Sequence, residues 1–459
     1  MAHEHSTRRN LIIGTGEGIL AMPWAFLSLP GNFILAALLT QFYGLDKTSY
    51  GIIVSLPAWS NAAQIVFLPW LARYLTTKDL ALAMGWLNIG MWTMLAAVLG
   101  YLPTDDAPGV ARLFVVFFLV ASVSQALVGV GWTSWVRVWV PARVRGHYFG
   151  RRNRWLNVST VVFLLLALVL FDWQEDELWP YQLLIGLAVV MRYGSLIWQH
   201  GIRTESEHLD LPGAGWITHL RENLAATGLL RFILFSAWVS FWLGFVGPFV
   251  PVFSFEELGL QPGRFTLLVI IATVAAIFAW PFWGRQVDRR GCLPILIVGL
   301  VAWELQNYLW VVLNAGNTWL LYPMWAFGGF FSTAYFAAGF NLLLKLVPPH
   351  AKLAGVSLHL ALTSVAAAAA PIAAGVLLTH FLEAGAGIAA YRVGFAVKST
   401  AVLAGLLFLR GLREPQCSTG TSLPGAFRTL RQLLGAQSAA FLGSWNTRRT
   451  RNRRDEEDR

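Results

Sequence analysis

Ionisable side chains inside apolar stretches are where this sequence could do chemistry, because a lone charge in hydrocarbon costs several kcal/mol and persists only where it is paired or used. Glu304, Lys398, His359 and Glu17 are such positions. A histidine in an apolar helix can carry a proton near neutral pH. Glu304 and Lys398 can instead neutralise each other: one lies about eleven residues past the start of its apolar run and the other about fourteen before the end of its own, so at about 1.5 Å per residue their depths differ by about one turn. Such a structural ion pair would fix helix register more than raise stability. Asn88 and Arg192 form a related combination in the first half. Neutral groups make a second set. Ser122, Gln125, Gly129 and Trp132 recur at helical spacing and share one face, as do Trp238 and Trp242, four residues apart. Amides beside indole faces suit a neutral polyol or sugar, or a flat drug-like molecule, although both groups also join helices to one another. Clustered acids, paired histidines and a nucleophile with a nearby base are not visible, so an enzyme is not expected. Cys292 and Cys417 have no zinc spacing, and neither a metal, a cofactor nor a disulfide is expected.

The elements that must position these groups are apolar helices. Over 459 residues the chain is 56% hydrophobic and only 13% charged, with a mean hydropathy of +0.57, far more apolar than a water-soluble protein of this size can bury. Apolar runs fall at 11–43, 50–74, 80–102, 110–139, 155–171 and 179–199, and again at 225–253, 265–283, 293–313, 319–346, 353–382 and 391–412. The first exceeds the roughly 20 residues a bilayer core requires, so its early part, with Glu17, is expected along the interface, and it is too long for a cleavable signal. The expected division is residues 1–199 as one helical unit, 200–224 as a polar linker, 225–412 as a second unit and 413–459 as a tail. That tail begins with an amphipathic segment over 423–443 and ends in mixed charge. The net charge of +10 lies in connections on one side and in the tail. It therefore reports topology, not nucleic-acid binding, and the positive-inside bias places both termini in the cytoplasm.

The two halves repeat each other. Val140-Pro141 opens an arginine-rich connection holding Arg143, Arg145, Arg151, Arg152 and Arg154, and Val347-Pro348 opens the corresponding one in the second half. Between the eighth and ninth runs stands Gly284-Arg-Gln-Val-Asp288-Arg289-Arg290-Gly291. It resembles the G-x-x-x-D-R-x-G signature of the major facilitator superfamily, while the first-half copy around Arg73 and Lys78 lacks the glycines and the usual acid. The resemblance covers residues 11 to 412. It implies an all-α membrane protein of twelve helices in two pseudo-symmetric six-helix bundles, with a small solute moved by alternating access in the plasma (inner) membrane. It also implies gating by Asp288, Arg289 and Arg290 against Arg145, Arg151 and Arg152 at the start of the fifth span, and a cavity lined by the first, second, fourth and fifth spans with their second-half equivalents. On those spans Asn32, Asn61, Gln64, Gln125, Trp132, Trp238, Trp242, Tyr335 and His359 are the substrate-binding candidates. A carboxylate proton carrier has no evident place among them. Expected partners are the bilayer and the solute alone, with a monomer favoured. Efflux of amphipathic drug-like compounds, or a non-transporting receptor or scaffold, are the other readings.

Overall fold

Backbone groups in hydrocarbon must be satisfied within their own segment, which is why the apolar runs fold as helices. The computed structural model describes residues 2–29, 31–71, 73–141, 145–173, 177–204, 228–347 and 352–414. The expected linker lies almost wholly outside these, and the tail from 415 lies entirely outside. In chain order the helices are α1 (Ala2–Leu27), α2 (Phe33–Phe42), α3 (Lys47–Leu71), α4 (Thr77–Val98), α5 (Ala107–Trp139), α6 (Arg145–Trp173) and α7 (Trp179–His200). The second half holds α8 (Leu229–Val246), α9 (Phe249–Glu256), α10 (Pro262–Arg290), α11 (Cys292–Asn307), α12 (Leu321–Leu346), α13 (Lys352–Glu383) and α14 (Ile388–Ala404). Among the described residues, 11 helices are long and apolar enough to cross a membrane. The chain is a multi-pass, all-α membrane protein.

Two features of the first run differ from expectation. It is broken: Asn32 ends the break as the cap of α2, accepting from the N–H groups of Ile34 at 2.9 Å and Leu35 at 3.0 Å, while its amide donates to Leu29 O at 2.6 Å. Because α2 completes the run, α1 itself is a membrane-length helix, and Glu17 is buried within it, not held at an interface. The second half breaks in a similar place, between α8 and α9 at Gly247 and Pro248. The arginine-rich connection also differs, for from Arg145 onward it is the start of α6.

Packing repeats between halves. In the first, α1 lies on α6 and α7, α3 on α5, and α4 on α5 and α7. The second reproduces this, with α8 on α13 and α14, α10 on α12, and α11 on α12 and α14. Val140 and Val347, the two Val-Pro positions, each end a helix in an extended conformation and are buried. Across the halves α3 meets α13 and α6 meets α10.

These crossings lie toward one end, that of the acidic loops. A Cβ on Gly51 would run into the carbonyl of Pro371, and one on Gly375 into that of Lys47, so the glycines let α3 and α13 approach backbone to backbone. The hydroxyls of Thr48 and Thr379 share a hydrogen bond of 3.0 Å across the same seam. Glu256, at the end of α9, forms an ion pair with Lys47 of α3, accepts from Gln41 of α2 at 3.3 Å and accepts from the Tyr391 hydroxyl of α14 at 3.2 Å. Tyr50 donates to Pro248 O at 3.1 Å. One apolar core, holding Phe33, Phe249 and Phe265 among others, is shared by both halves at this end. Among the described residues the cores toward the arginine-rich end are separate, one built around Trp135 and Trp139 in the first half and the other around Trp283 and Leu296 in the second.

At that end the residues after α14 return to the second half. Glu414 accepts from the N–H groups of Cys292 at 2.8 Å and Leu293 at 3.0 Å, at the start of α11, and from Lys345 Nζ at 2.8 Å. Burial pushes this carboxyl up, but its hydrogen bonds from Lys345 and the two amides outweigh burial and hold it below the usual carboxylate range.

Candidate functional site

Gly14, Gly16 and Gly18 flank Glu17 on α1. Glycine inside a helix costs roughly 1 kcal/mol relative to alanine, and here the missing side chains make room: a Cβ at 14 would enter the Trp139 ring, at 16 the Trp198 ring, and at 18 the Arg152 guanidinium. The helices carrying those groups, α5, α6 and α7, thereby close around a carboxylate. Glu17 accepts from Arg152 Nη2 at 2.9 Å, from Gln199 Nε2 at 2.7 Å and from the Ser195 hydroxyl at 3.4 Å. Arg152 Nε also donates to Gly14 O at 2.9 Å, and Arg192 donates to Ser195 Oγ at 2.9 Å. Each arginine covers an indole, Arg152 over Trp132 and Arg192 over Trp24, at 4.9 Å from ring centre in both cases. Arg152 binds the carboxylate directly and Arg192 reaches it only through the Ser195 hydroxyl, so this cluster carries a net positive charge that the π-faces help to hold. Helical period explains the choice of arginine. Arg152 faces α1, whereas its neighbours Arg151 and Arg154 are exposed.

Trp132 joins this cluster to the stripe on α5. Ser122 is buried, Gln125 half-buried and Gly129 exposed with open space beside it. The amide oxygens of Gln125 and of Gln64, on the adjacent α3, are buried without a hydrogen-bond partner among the described residues. Asn61, also on α3, is half-buried. The first half thus presents unused acceptors beside an aromatic face.

The other expected site residues have contacts of their own. Asn32 is spent on the cap described above. Trp238 donates to Ala401 O at 2.7 Å and packs on α14, and Trp242 stacks among Trp238, Phe241 and Phe245. Tyr335 lies against Phe235 and Trp303. His359 stacks on Phe232 at 5.9 Å with planes 10° apart. Glu304 and Lys398 do meet: Nζ lies 2.7 Å from both carboxylate oxygens. Asp288 and Arg289 are exposed and Arg290 half-buried. Among the described residues Asp288 makes no ion pair, and Arg152, one of its expected partners, is instead bound to Glu17. The side chain of Arg145 lies outside the described residues. The sequence singles out Glu17 but not its partners Ser195 and Gln199, and the glycines at 14, 16 and 18 are the signal in it that other helices close on Glu17.

A sequence model of the family described as Major Facilitator Superfamily matches residues 230–447. By sequence the second half of the chain is similar to this family. For the first half the likeness is one of fold alone. A point mutant of the nucleoside transporter NupG superposes with a TM-score of 0.66 at 14% identity, covering 88% of this chain and 99% of that one. A D-xylose-proton symporter gives 0.61 at 16% identity over 90% and 99%. A bacterial homolog of the human lysosomal transporter Spinster, inward-facing and unoccupied, gives 0.60 at 15% over 89% and 94%. No curated protein matches the chain by sequence.

Proposed function

We propose that this chain moves a small, neutral, hydroxyl-bearing organic solute across the inner membrane by alternating access. In this reading the helices form twelve spans in two six-helix bundles, with α1 and α2 as the first span and α8 and α9 as the seventh. Both termini are cytoplasmic, and the conformation opens to the cytoplasm. The observation that carries the proposal is the asymmetry of the core: one apolar seal common to both halves at the acidic-loop end and, among the described residues, two separate cores at the other.

The unpaired oxygens of Gln64 and Gln125 support the solute class, since a buried acceptor with no donor is costly until a ligand supplies one. Trp132 supplies the face on which an apolar ring edge can lie. The nucleoside and D-xylose named in two of the similar structures are solutes of this kind. Other similar structures are a peptide transporter and a bacterial homologue of an iron transporter, so the fold alone selects none. Counterflow in liposomes containing the full-length protein, run with labelled pentoses, polyols and nucleosides, tests the proposal. Saturable exchange of at least one of them, reduced in Gln125→Ala at equal folded protein, is expected. Exchange of cationic amphiphiles alone would overturn it.

A further inference from the structure

A cavity of about 320 Å³ lies inside the second half, bounded by residues of α8, α9, α10, α11, α12 and α14. Among the described residues none of its walls comes from the first half, which sets it apart from the path between the halves. Its size is within the range of small-molecule sites, which run from about 300 to 1,000 Å³. Trp303, Trp310, Trp325 and Phe395 line it, and the rings of Trp310 and Phe395 stack at 5.3 Å and 24°. Flat aromatic walls of this kind hold a flat ring.

Polar groups converge on the same space. Gln306, Trp325 and Ser399 all line the cavity, and Gln306 Oε1, Trp325 Nε1 and Ser399 Oγ are buried without a hydrogen-bond partner among the described residues. They amount to an acceptor, a donor and a hydroxyl that can be either. Gly328 keeps the acceptor open, because a Cβ there would stand 3.3 Å from Gln306 Oε1 and 3.7 Å from Trp303 Nε1. Lys398 also lines the cavity, but its ammonium is held by both oxygens of Glu304. The pair is neutral as a unit, and an ionic ligand would find no uncompensated charge to meet it.

We propose that this cavity is a second small-molecule site that takes a neutral, flat aromatic compound with adjacent hydrogen-bond donor and acceptor, such as a primary aromatic amide. The ring lies between the indoles, the ligand N–H donates to Gln306 Oε1, and its carbonyl accepts from Trp325 Nε1 or the Ser399 hydroxyl. The site is independent of the transport reading and stands or falls without it.

The test is saturable binding of radiolabelled 2-naphthamide to immobilised full-length protein. Gln306→Leu removes one hydrogen bond and should weaken binding about tenfold, the equivalent of roughly 1.4 kcal/mol. Gly328→Ala, which adds one methyl over the same oxygen, should weaken it in the same direction, and it guards against a folding defect in the first variant. Naphthalene should displace the amide poorly, and Gln125→Ala should leave binding unchanged. Absence of saturable binding would mean that water satisfies the polar groups and would overturn the proposal. Equal displacement by naphthalene would overturn the ligand class, and loss of binding in Gln125→Ala with none in the other two variants would move the ligand to the path between the halves.

Discussion

Lys47→Met tests what holds the acidic-loop end shut. The substitution keeps the apolar stem of the side chain and removes the ammonium that pairs with Glu256 across the two halves. With side-chain exposures of 13% for Lys47 and 27% for Glu256, the pair is neither fully screened nor fully desolvated. Exposed pairs contribute about 0–1 kcal/mol, and hydrogen bonds to charged groups about 1.5–3. An intermediate loss of about 1–2 kcal/mol changes the ratio of closed to open states by a factor of about five to thirty. Glu256 keeps its bonds from Gln41 and Tyr391, and the shared apolar core remains, so the end should stay mostly closed while opening more often. The assay is the labelling rate of a cysteine placed at Thr379, which faces Thr48 across the seam, by a membrane-impermeant maleimide, with both native cysteines replaced. Labelling should accelerate by that factor, and Lys47→Arg should restore most of the wild-type rate. A rate within twofold of wild type in Lys47→Met, or the same acceleration in Lys47→Arg, would refute the reasoning.

Four further substitutions have expected outcomes. Lys398→Met leaves the Glu304 carboxylate buried without its cation and should lower thermal stability strongly, by about 3–5 kcal/mol; Glu304→Gln combined with it should recover much of the loss, and additive effects would deny the coupling. Glu17→Gln strips the buried Arg152 guanidinium of its carboxylate and should cost about as much, whereas Gly16→Leu should fail to assemble α1 against α7, read as loss of a monodisperse peak in size-exclusion chromatography. Glu414 is held below the usual carboxylate range, so its contribution is complete above the unfolded value of about 4.3 and is lost as pH falls through the lower folded value. Glu414→Gln should therefore be less stable at neutral pH and should lack that part of the acid-side decline, as followed by thermal unfolding across a pH series.

Fold was legible where it depended on hydropathy alone. Runs of apolar residues mark membrane-length helices, 11 among the described residues where twelve were expected, and the two Val-Pro positions gave the repeat that Val140 and Val347 display. Neither break in the first spans of the halves was legible, because the first run reads as continuous hydropathy through Asn32. An amide that caps a helix and an amide that meets a solute look alike in sequence. Arg152 was misplaced for a related reason: charge density marks a loop in a hydropathy reading, yet Arg145 begins a helix and its period turns one arginine inward. Glu304 and Lys398 meet as their depths suggest, since depth follows from counting residues, which the geometry of a helix makes reliable. The partners of Glu17 come from helices more than a hundred residues away, and counting along one chain does not align three helices in rotation.

The unequal character of the two ends bears on temperature. Opening the acidic-loop end would expose the apolar surface that both halves share there. Closing the other end would bring together rims that carry exposed charges such as Arg151, Arg154, Asp288 and Arg289. The two changes do not cancel in heat capacity, since exposed apolar surface raises it and polar surface lowers it. In the proposed transport cycle, exchange between the two orientations is therefore a step with a curved free-energy profile in temperature. Apolar burial weakens on cooling, and the cold favours the orientation in which the acidic-loop end is parted.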